Sequence, residues 1–391
     1  MVELREQLKK IVEKVDLTAT QRQRAIDLYT HLCEAIENKV SFDINFYAQG
    51  SFATKTAVRP YKNGNDHLYD VDVICEATSI DKNKISPESL KSAFRDALNQ
   101  SRYSKRYKEW DKCFTVEFEA KDEVDFSIDI IPSVKEDDKT INELVSQTQN
   151  PDLVGYSIAI PSAVENSTTW ITNNPKGYVR WFERQTAFFE EAWHNETRNS
   201  QILNSIEKLP DDDAQNSLLN VIKLLKRTRD VFYYRRKSDN KPSSIIIITV
   251  VGELAKSLRP TVSEVDLLKQ VIEQLEQIQT YSNKENSEFM VTRRFSIPSI
   301  ISRKNNKWML ANPANGGDNL LNSWNEDNNK AKEFFAWVRD LQAILASFDE
   351  TKEEKKVTEL YDSFALSLPG LNTSKQQFSL SDNSTKPWGS K

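Results

Sequence analysis

Apolar positions recur every three or four residues at the start of the chain. Leu4, Leu8, Ile11 and Val15 form one stripe, and Ile26, Tyr29, Cys33 and Ile36 form a second behind the capping candidates Thr18 and Thr20. This period predicts two amphipathic helices. From Asp43 onward the pattern shortens to alternation and brief β-branched or aromatic runs. Strands are predicted over 44–47, 69–76, 114–120 and 124–131, the last stopping at Pro132, with a helix at 87–100 whose Leu90, Phe94 and Leu98 share a face. Beyond Pro161 the helical period returns, over 177–193, 215–232, 267–280 and 330–348. The run 243–251 favours a strand by β-branched propensity alone, with a buried helix as the other reading. The stretch 315–329, rich in Asn, Gly and Asp, is predicted to be loop, and the polar stretch 374–391 a flexible tail.

This order implies an α+β chain: a lobe over 1–165 with a small sheet and N-terminal helices, a helical lobe over 166–373, then the tail. A composition of 38% hydrophobic and 28% charged residues over 391 positions fits a soluble chain of two or three domains. Its most apolar run, 245–251, falls far short of the ~20 residues that cross a bilayer. Residues 1–10 alternate charges with Leu4 and Leu8 and lack a signal-type apolar core, so a cytoplasmic location and no membrane partner are expected. Three Cys and three His are scattered, which fits neither a disulfide framework nor a zinc finger. A net charge of -5 and a pI near 5.6 argue against an extended nucleic-acid surface.

The sharpest chemical signal is Tyr69-Asp70-Val71-Asp72-Val73-Ile74. Strand alternation puts Asp70 and Asp72 on one face and Val71 and Val73 on the other. At about 6 to 7 Å apart and an effective dielectric near 20, two carboxylates repel by roughly 2 to 3 kcal/mol, which a bound divalent cation reverses. Hard oxygen ligands select magnesium or manganese. Upstream, Ala48-Gln49-Gly50-Ser51 closes a strand with a pair suited to a tight turn: Gly50 lets the backbone approach a ligand, and Ser51 offers a hydroxyl to an anion such as a triphosphate. A Walker A loop is absent. Further on, Val124-Asp125-Phe126-Ser127-Ile128-Asp129-Ile130-Ile131-Pro132 is another strand with Asp125 and Asp129 at the same parity, and alternation alone does not choose between them. Each of these features taken singly also fits ordinary surface decoration.

Gly50-Ser51, then Asp70-x-Asp72 on a strand, then a third Asp on a later strand, resembles the nucleotidyltransferase superfamily of DNA polymerase β. More narrowly, the chain resembles the bacterial CD-NTase (SMODS) family, relatives of cyclic GMP-AMP synthase and oligoadenylate synthase. Supporting segments run in family order over residues 46 to 340: Thr56-Ala57-Val58-Arg59-Pro60, Asp129-Ile130-Ile131-Pro132, Asn174-Pro175-Lys176-Gly177 with Trp181-Phe182, Lys226-Arg227-Thr228-Arg229-Asp230, Lys241-Pro242-Ser243-Ser244-Ile245-Ile246-Ile247, Asn312-Pro313 through Trp324-Asn325, and Phe335-Ala336-Trp337. One departure is the stretch 52–69, lengthened by Asn63-Gly64-Asn65-Asp66-His67 and expected to be a loop insertion.

The resemblance implies a two-lobed fold, a polymerase-β-like nucleotidyltransferase lobe packed on a helical, oligoadenylate-synthase-like lobe. It selects Asp129 over Asp125 as the third carboxylate, since the family's third Asp precedes an apolar pair and Pro. Asp70, Asp72 and Asp129 are then catalytic and hold two Mg2+ (or Mn2+) ions per site. Residues 223–241 concentrate cations that, on composition alone, read as a solvated helix flank. By resemblance Lys226 and Ser244, with Ser243 as fallback, grip the triphosphate alongside Gly50 and Ser51, and 244–251 is helical. Tyr233 is a weak candidate for stacking on a base. Trp181, Trp308, Trp324 and Trp337 read as core or lobe-interface residues.

The implied activity is template-free joining of ribonucleoside triphosphates, ATP among them, into a cyclic di- or trinucleotide for antiphage signalling by a monomeric enzyme. Accessory partners acting on the C-terminus are also implied, against the plainer reading of 374–391 as a frayed end. Two other functions compete: a template-independent RNA nucleotidyltransferase of CCA-adding or poly(A) type, and a non-catalytic nucleotide-binding scaffold.

Overall fold

The computed structural model describes residues 2–66, 69–118, 126–164, 167–189, 216–259, 263–282, 300–349 and 354–367. Two helices open the chain, α1 (Val2–Val15) and α2 (Ala19–Glu37), the second started by a capping box in which Thr18 accepts from Gln21 N and the Gln21 side chain accepts from Thr18 N. A sheet follows, made of β1 (Ile44–Gln49), β4 (Tyr69–Ala77), β7 (Phe126–Lys135), β6 (Phe114–Phe118) and β5 (Tyr107–Glu109) in that spatial order, with β8 (Ile158–Val164) on β7 and β9 (Ser167–Asn173) on β8. Only β4 and β7 run parallel within this sheet; the other described pairs are antiparallel. The parallel pair needs a long crossover, which α4 (Pro87–Asn99), β5 and β6 provide.

One face of the sheet is greasy and covered. Val71, Val73, Cys75, Ile128 and Ile130 are fully buried against Tyr29, Leu32 and Ile36 of α2 and Leu90, Phe94 and Leu98 of α4. The opposite face of the same strands carries the carboxylates. That face is also covered farther along, where Ile74 and Ile131 pack with Ile158 and Ile160, and a slip of one residue would turn the carboxylates into the apolar core.

The strand predicted to stop at Pro132 continues to Lys135. Pro132 sits between the stretch paired with β6, which ends at Ile130, and the stretch paired with β8, which begins at Val134. A missing N–H is tolerated in such a gap.

The helical lobe is built on α7 (Ser217–Arg236), α8 (Ser244–Leu254) and α9 (Glu264–Ser282), together with α6 (Pro175–Thr186) and the helix Asn329–Asp349. Two of the sequence boundaries shift. Helix α1 contributes Leu4, Leu8, Ile11, Val12 and Val15 to the helical core rather than to the sheet, and β9 keeps the sheet lobe going to Asn173, beyond the predicted end at 165. The helix implied by resemblance at 244–251 is present and runs Ser244–Leu254, against its strand propensity. Ile246, Ile247, Ile248, Val250, Val251 and Leu254 are all buried around its circumference, so packing on every side overrides β-branched propensity. At Gly252 a Cβ would lie 2.7 Å from the Trp181 ring, which is how closely α8 meets α6.

The stretch predicted as loop at 315–329 contains a strand, Asn315–Asn319, paired with Ala311–Asn312, then the short helix Asn322–Glu326 and the start of Asn329–Asp349. Its asparagines serve as backbone partners. Asn319 Oδ1 accepts from Leu310 N and Leu321 N, and Asn325 Oδ1 accepts from Trp308 N at 2.6 Å. The insertion at 52–69 holds a two-residue hairpin, β2 (Tyr61–Lys62) and β3 (Asn65–Asp66), turned by Asn63 and Gly64 at φ +53° and +84°. The predicted tail at 374–391 and the candidate Asp125 lie outside the described residues. Among the described residues no helix is long and apolar enough to cross a membrane.

Candidate active site

Parallel pairing of β4 with β7 sets Asp72 directly beside Asp129 and Asp70 beside Ser127. Alternation then puts Asp70, Asp72 and Asp129 on the face opposite the buried Val71, Val73, Ile128 and Ile130. Strand β1 brings Gln49 opposite Asp72 from the other edge, so the turn Gly50-Ser51 begins at the carboxylates. Gly50 has φ +66°, and a Cβ built there would lie 2.6 Å from Asp72 Oδ2. Glycine is required here twice over, by the left-handed backbone and by the approach.

Two hydroxyls missed by the sequence reading hold the outer acids. Thr115 donates to Asp129 Oδ1 at 2.5 Å, and Ser127 donates to Asp70 Oδ1. Asp129 is 2% exposed, while Asp70 stands in the open. The carboxylates face neighbouring hydroxyls, and among the described residues no three His, Cys, Asp or Glu side chains converge as a metal cage. The donor set still fits a hard divalent cation: three carboxylates from adjoining strands, with Asp72 Oδ2 reaching into the space that a side chain at 50 would take.

The helical lobe meets this site through α7. Lys226 is 3% exposed and donates at 2.6 Å to the carbonyl of Thr56, whose own N–H bonds Ser51 O at 2.9 Å. The lysine proposed to grip phosphates thus reaches the segment next to Ser51. Burial, reinforced by Arg229 and Lys223 and opposed by Asp230, brings its ammonium down to about 7. The expectation of a solvated helix flank fails for this part of the cluster. From Ser217 to Tyr233 nearly every side chain of α7 is buried, and its cations are partnered: Lys223 to Asp16 at 2.6 Å, Arg227 to Asp66 at 2.7 Å, Arg229 to Asp230 at 2.7 Å.

Ser244 opens α8, with Ser243 as its N-cap, and Ser244 Oγ accepts from Arg229 Nη1 at 3.1 Å. Tyr233 is not at the cleft. It is 1% exposed in the helical core, and burial, with Glu333 nearby, raises its phenol. Its neighbour Tyr234 faces outward and meets Tyr61 of the hairpin edge-on at 5.3 Å. Arg229 and Asp230 went unassigned, although ionic residues set between the largely apolar stretches 221–225, interrupted by Lys223, and 231–233 are a sign of buried charge.

Residues 44–130 match the family model described as "Cyclic GMP-AMP synthase DncV-like, nucleotidyltransferase domain". A c-di-GMP synthase of Roseivirga ehrenbergii is 21% identical over 347 residues, covering 87% of this chain and 78% of that protein. The fold is shared with solved structures. The CD-NTase CdnG of Bradyrhizobium diazoefficiens, in complex with GTP, superposes with a TM-score of 0.60 at 16% identity, over 92% of this chain and 96% of that one. CdnC of E. coli MS115-1, with ATP, gives 0.59 at 12% identity over 93% and 97%. The matched segment holds Gly50, Ser51, Asp70, Asp72 and Asp129, the set that strand register brings together. Residues 44–130 accordingly carry a DncV-like nucleotidyltransferase domain, in a chain that shares its fold with CD-NTases.

Proposed function

We propose that this nucleotidyltransferase joins ribonucleoside triphosphates without a template into a cyclic di- or trinucleotide, a second messenger for antiphage signalling. The register that puts Asp72 beside Asp129, with Gly50 against Asp72, carries the reading. Asp70, Asp72 and Asp129 would hold two Mg2+ or Mn2+ ions. Bound there, the cations supply charge neutralisation for the triphosphate and a lowered pKa for the attacking ribose hydroxyl.

The remaining chemistry belongs to the chain's own residues. Gly50 and Ser51 receive the triphosphate from the catalytic lobe, and Lys226 and Ser244 receive it from the helical lobe. The ribose hydroxyl of one nucleotide attacks the α-phosphorus of another in line, its proton passing to solvent as the new P–O bond forms, and pyrophosphate leaves with the electrons of the broken P–O bond. Positioning and charge neutralisation supply most of the rate enhancement. A second transfer closes the ring.

The relatives' names support this reading: a c-di-GMP synthase, and CD-NTases solved with GTP and with ATP. The enzyme acts as a cytoplasmic monomer, and 374–391 serves as a handle for accessory proteins. A chain lacking 374–391 with undiminished signalling in cells would remove that last element. The test of the activity is incubation with all four ribonucleoside triphosphates and magnesium or manganese, without RNA, followed by phosphatase and mass spectrometry, with Asp70→Asn/Asp72→Asn as control. A phosphatase-resistant product lost in the control is expected. Elongation only when RNA is added would instead identify an RNA-tailing enzyme.

A further inference from the structure

Four donors of the Arg229 guanidinium are committed, all of them within the helical lobe. Nε and Nη2 donate to Asp230 Oδ1 at 3.0 and 2.7 Å, and Nη1 donates to Pro242 O and to Ser244 Oγ, each at 3.1 Å. Asp230 is 2% exposed and takes a further charge, Lys241, at 3.2 Å. Its other oxygen, Oδ2, lies 3.4 Å from the backbone N–H of Tyr61 in the inserted hairpin. That hairpin is clamped on α7, with Asp66 paired to Arg227 and the Arg227 guanidinium over the Tyr61 ring at 4.9 Å. An unbroken line of bonds therefore runs from the catalytic-lobe insertion through Asp230 and Arg229 to Ser244.

A hydroxyl has one proton to give and two lone pairs to receive with, whereas a guanidinium can only give. With Arg229 donating to Ser244 Oγ, the serine proton must point elsewhere. Phosphate oxygens can only accept, so they complement a hydroxyl held in this state. Charge agrees with the geometry: Arg229 and Lys241 both pair with the one buried carboxylate Asp230, an excess of positive charge that a polyanion relieves.

We propose that Arg229 and Asp230 are positioning residues for the substrate's phosphate chain: Asp230 fixes the guanidinium, the guanidinium donates to Ser244 Oγ, and Ser244 is thereby committed to donating its proton to a phosphate oxygen. The proposal rests on the nucleotidyl-transfer reading above. It adds that the placement of Ser244 is set from the catalytic lobe, through the bond from Tyr61 to Asp230, and that the insertion at 52–69 takes part in substrate binding without touching substrate.

A double-mutant cycle on the full chain tests it, with α,β-methylene ATP and α,β-methylene GTP titrated calorimetrically in magnesium, and with KM and kcat measured on the natural triphosphates. Arg229→Lys and Ser244→Ala are each expected to weaken analogue binding about tenfold. The double variant is expected to be no weaker than Ser244→Ala alone, because the two act as one unit. KM should rise by a similar factor while kcat changes less. Asp230→Asn is expected to reproduce Arg229→Lys and to lose its effect in the Ser244→Ala background. Should Asp230→Asn not fold, Arg229→Lys retains the charge and carries the test.

Losses that multiply, to about a hundredfold in the double variant, would mean that Arg229 does not act through Ser244 and would overturn the proposal. Wild-type protein that binds neither analogue would instead strike down the nucleotidyl-transfer reading, and this proposal with it. That failure shows in the parent, not in the pattern among variants.

Discussion

The two lobes place their charged residues under opposite constraints. On the sheet, Asp70, Asp72 and Asp129 share one face of neighbouring strands, and the partners described for Asp70 and Asp129 are the neutral hydroxyls of Ser127 and Thr115. On α7, cations sunk deep in the helical core are bound to carboxylates or carbonyls. The first arrangement gathers negative charge on one face of the sheet. The second stores positive charge at a buried address and holds its geometry fixed. Under the function proposed above, the acidic wall would take the cations and the basic wall the anion of a metal-bound triphosphate.

The sharpest break in this contrast is on the acidic wall. Asp72→Asn keeps shape and removes charge, and product formation is expected to fall by at least about 10² to 10³-fold. Thermal melting without metal should hold or improve, since like-charge repulsion on the face is relieved. A variant that melts markedly lower would mean that Asp72 is structural. Next in size is Gly50→Ala, which puts a Cβ 2.6 Å from Asp72 Oδ2 at φ +66°. It is expected to cost about 1 to 2 kcal/mol of stability from backbone strain alone, and turnover should fall further than melting because Asp72 must move.

Much of the acidic wall was legible in the sequence because a strand's alternation is short-ranged: Asp70 and Asp72 announce their shared face within three residues. The choice of Asp129 was not legible that way, since Asp125 has the same parity, and it came from resemblance. In the structure Asp129 is the residue paired with Asp72. The basic wall was harder to read. Arg229 and Asp230 are informative only once α7 is known to be covered on all sides by α1, α8, α9 and the hairpin, a property of tertiary packing that composition represents as a solvated flank. Propensity alone pointed to a strand at 244–251, where the resemblance implied the observed helix, and the ordered stretch at 315–329 was read as loop: burial and side-chain bonds from Asn319 and Asn325 outweigh local propensity.

The basic wall can be probed by pH. Lys226 titrates at about 7 when folded, against an ordinary value of 10.5. Between these values the unfolded chain holds a proton that the folded chain lacks, so stability from this group rises with pH across that window, and below it the penalty of burying the charge is fully present. Denaturant midpoints of wild type relative to Lys226→Met should therefore increase from pH 6 to pH 9. Triphosphate binding restores the charge, so calorimetry at pH 8 in buffers of different ionisation enthalpy should detect proton uptake that Lys226→Met lacks. A flat difference between the two proteins would place the lysine's charge elsewhere.

The smallest effect is expected at the hairpin clamp. Asp66→Asn removes one partner of Arg227, which keeps its bonds to Arg59 O and Phe364 O. A loss of about 1 kcal/mol or less is expected in denaturant midpoint, with a modest rise in KM. A loss as large as that of Gly50→Ala would show that the clamp, not the sheet, holds the lobes in register.

The parallel pairing of β4 with β7 has a consequence for the life of the chain. Gly50 and Asp72 leave the ribosome early, Asp129 must then cross over α4 and two strands to reach its place, and Lys226 and Ser244 come later still. A half-made polypeptide therefore holds some of the proposed site residues but not all of them. If the product is an alarm, truncated synthesis cannot sound it by accident.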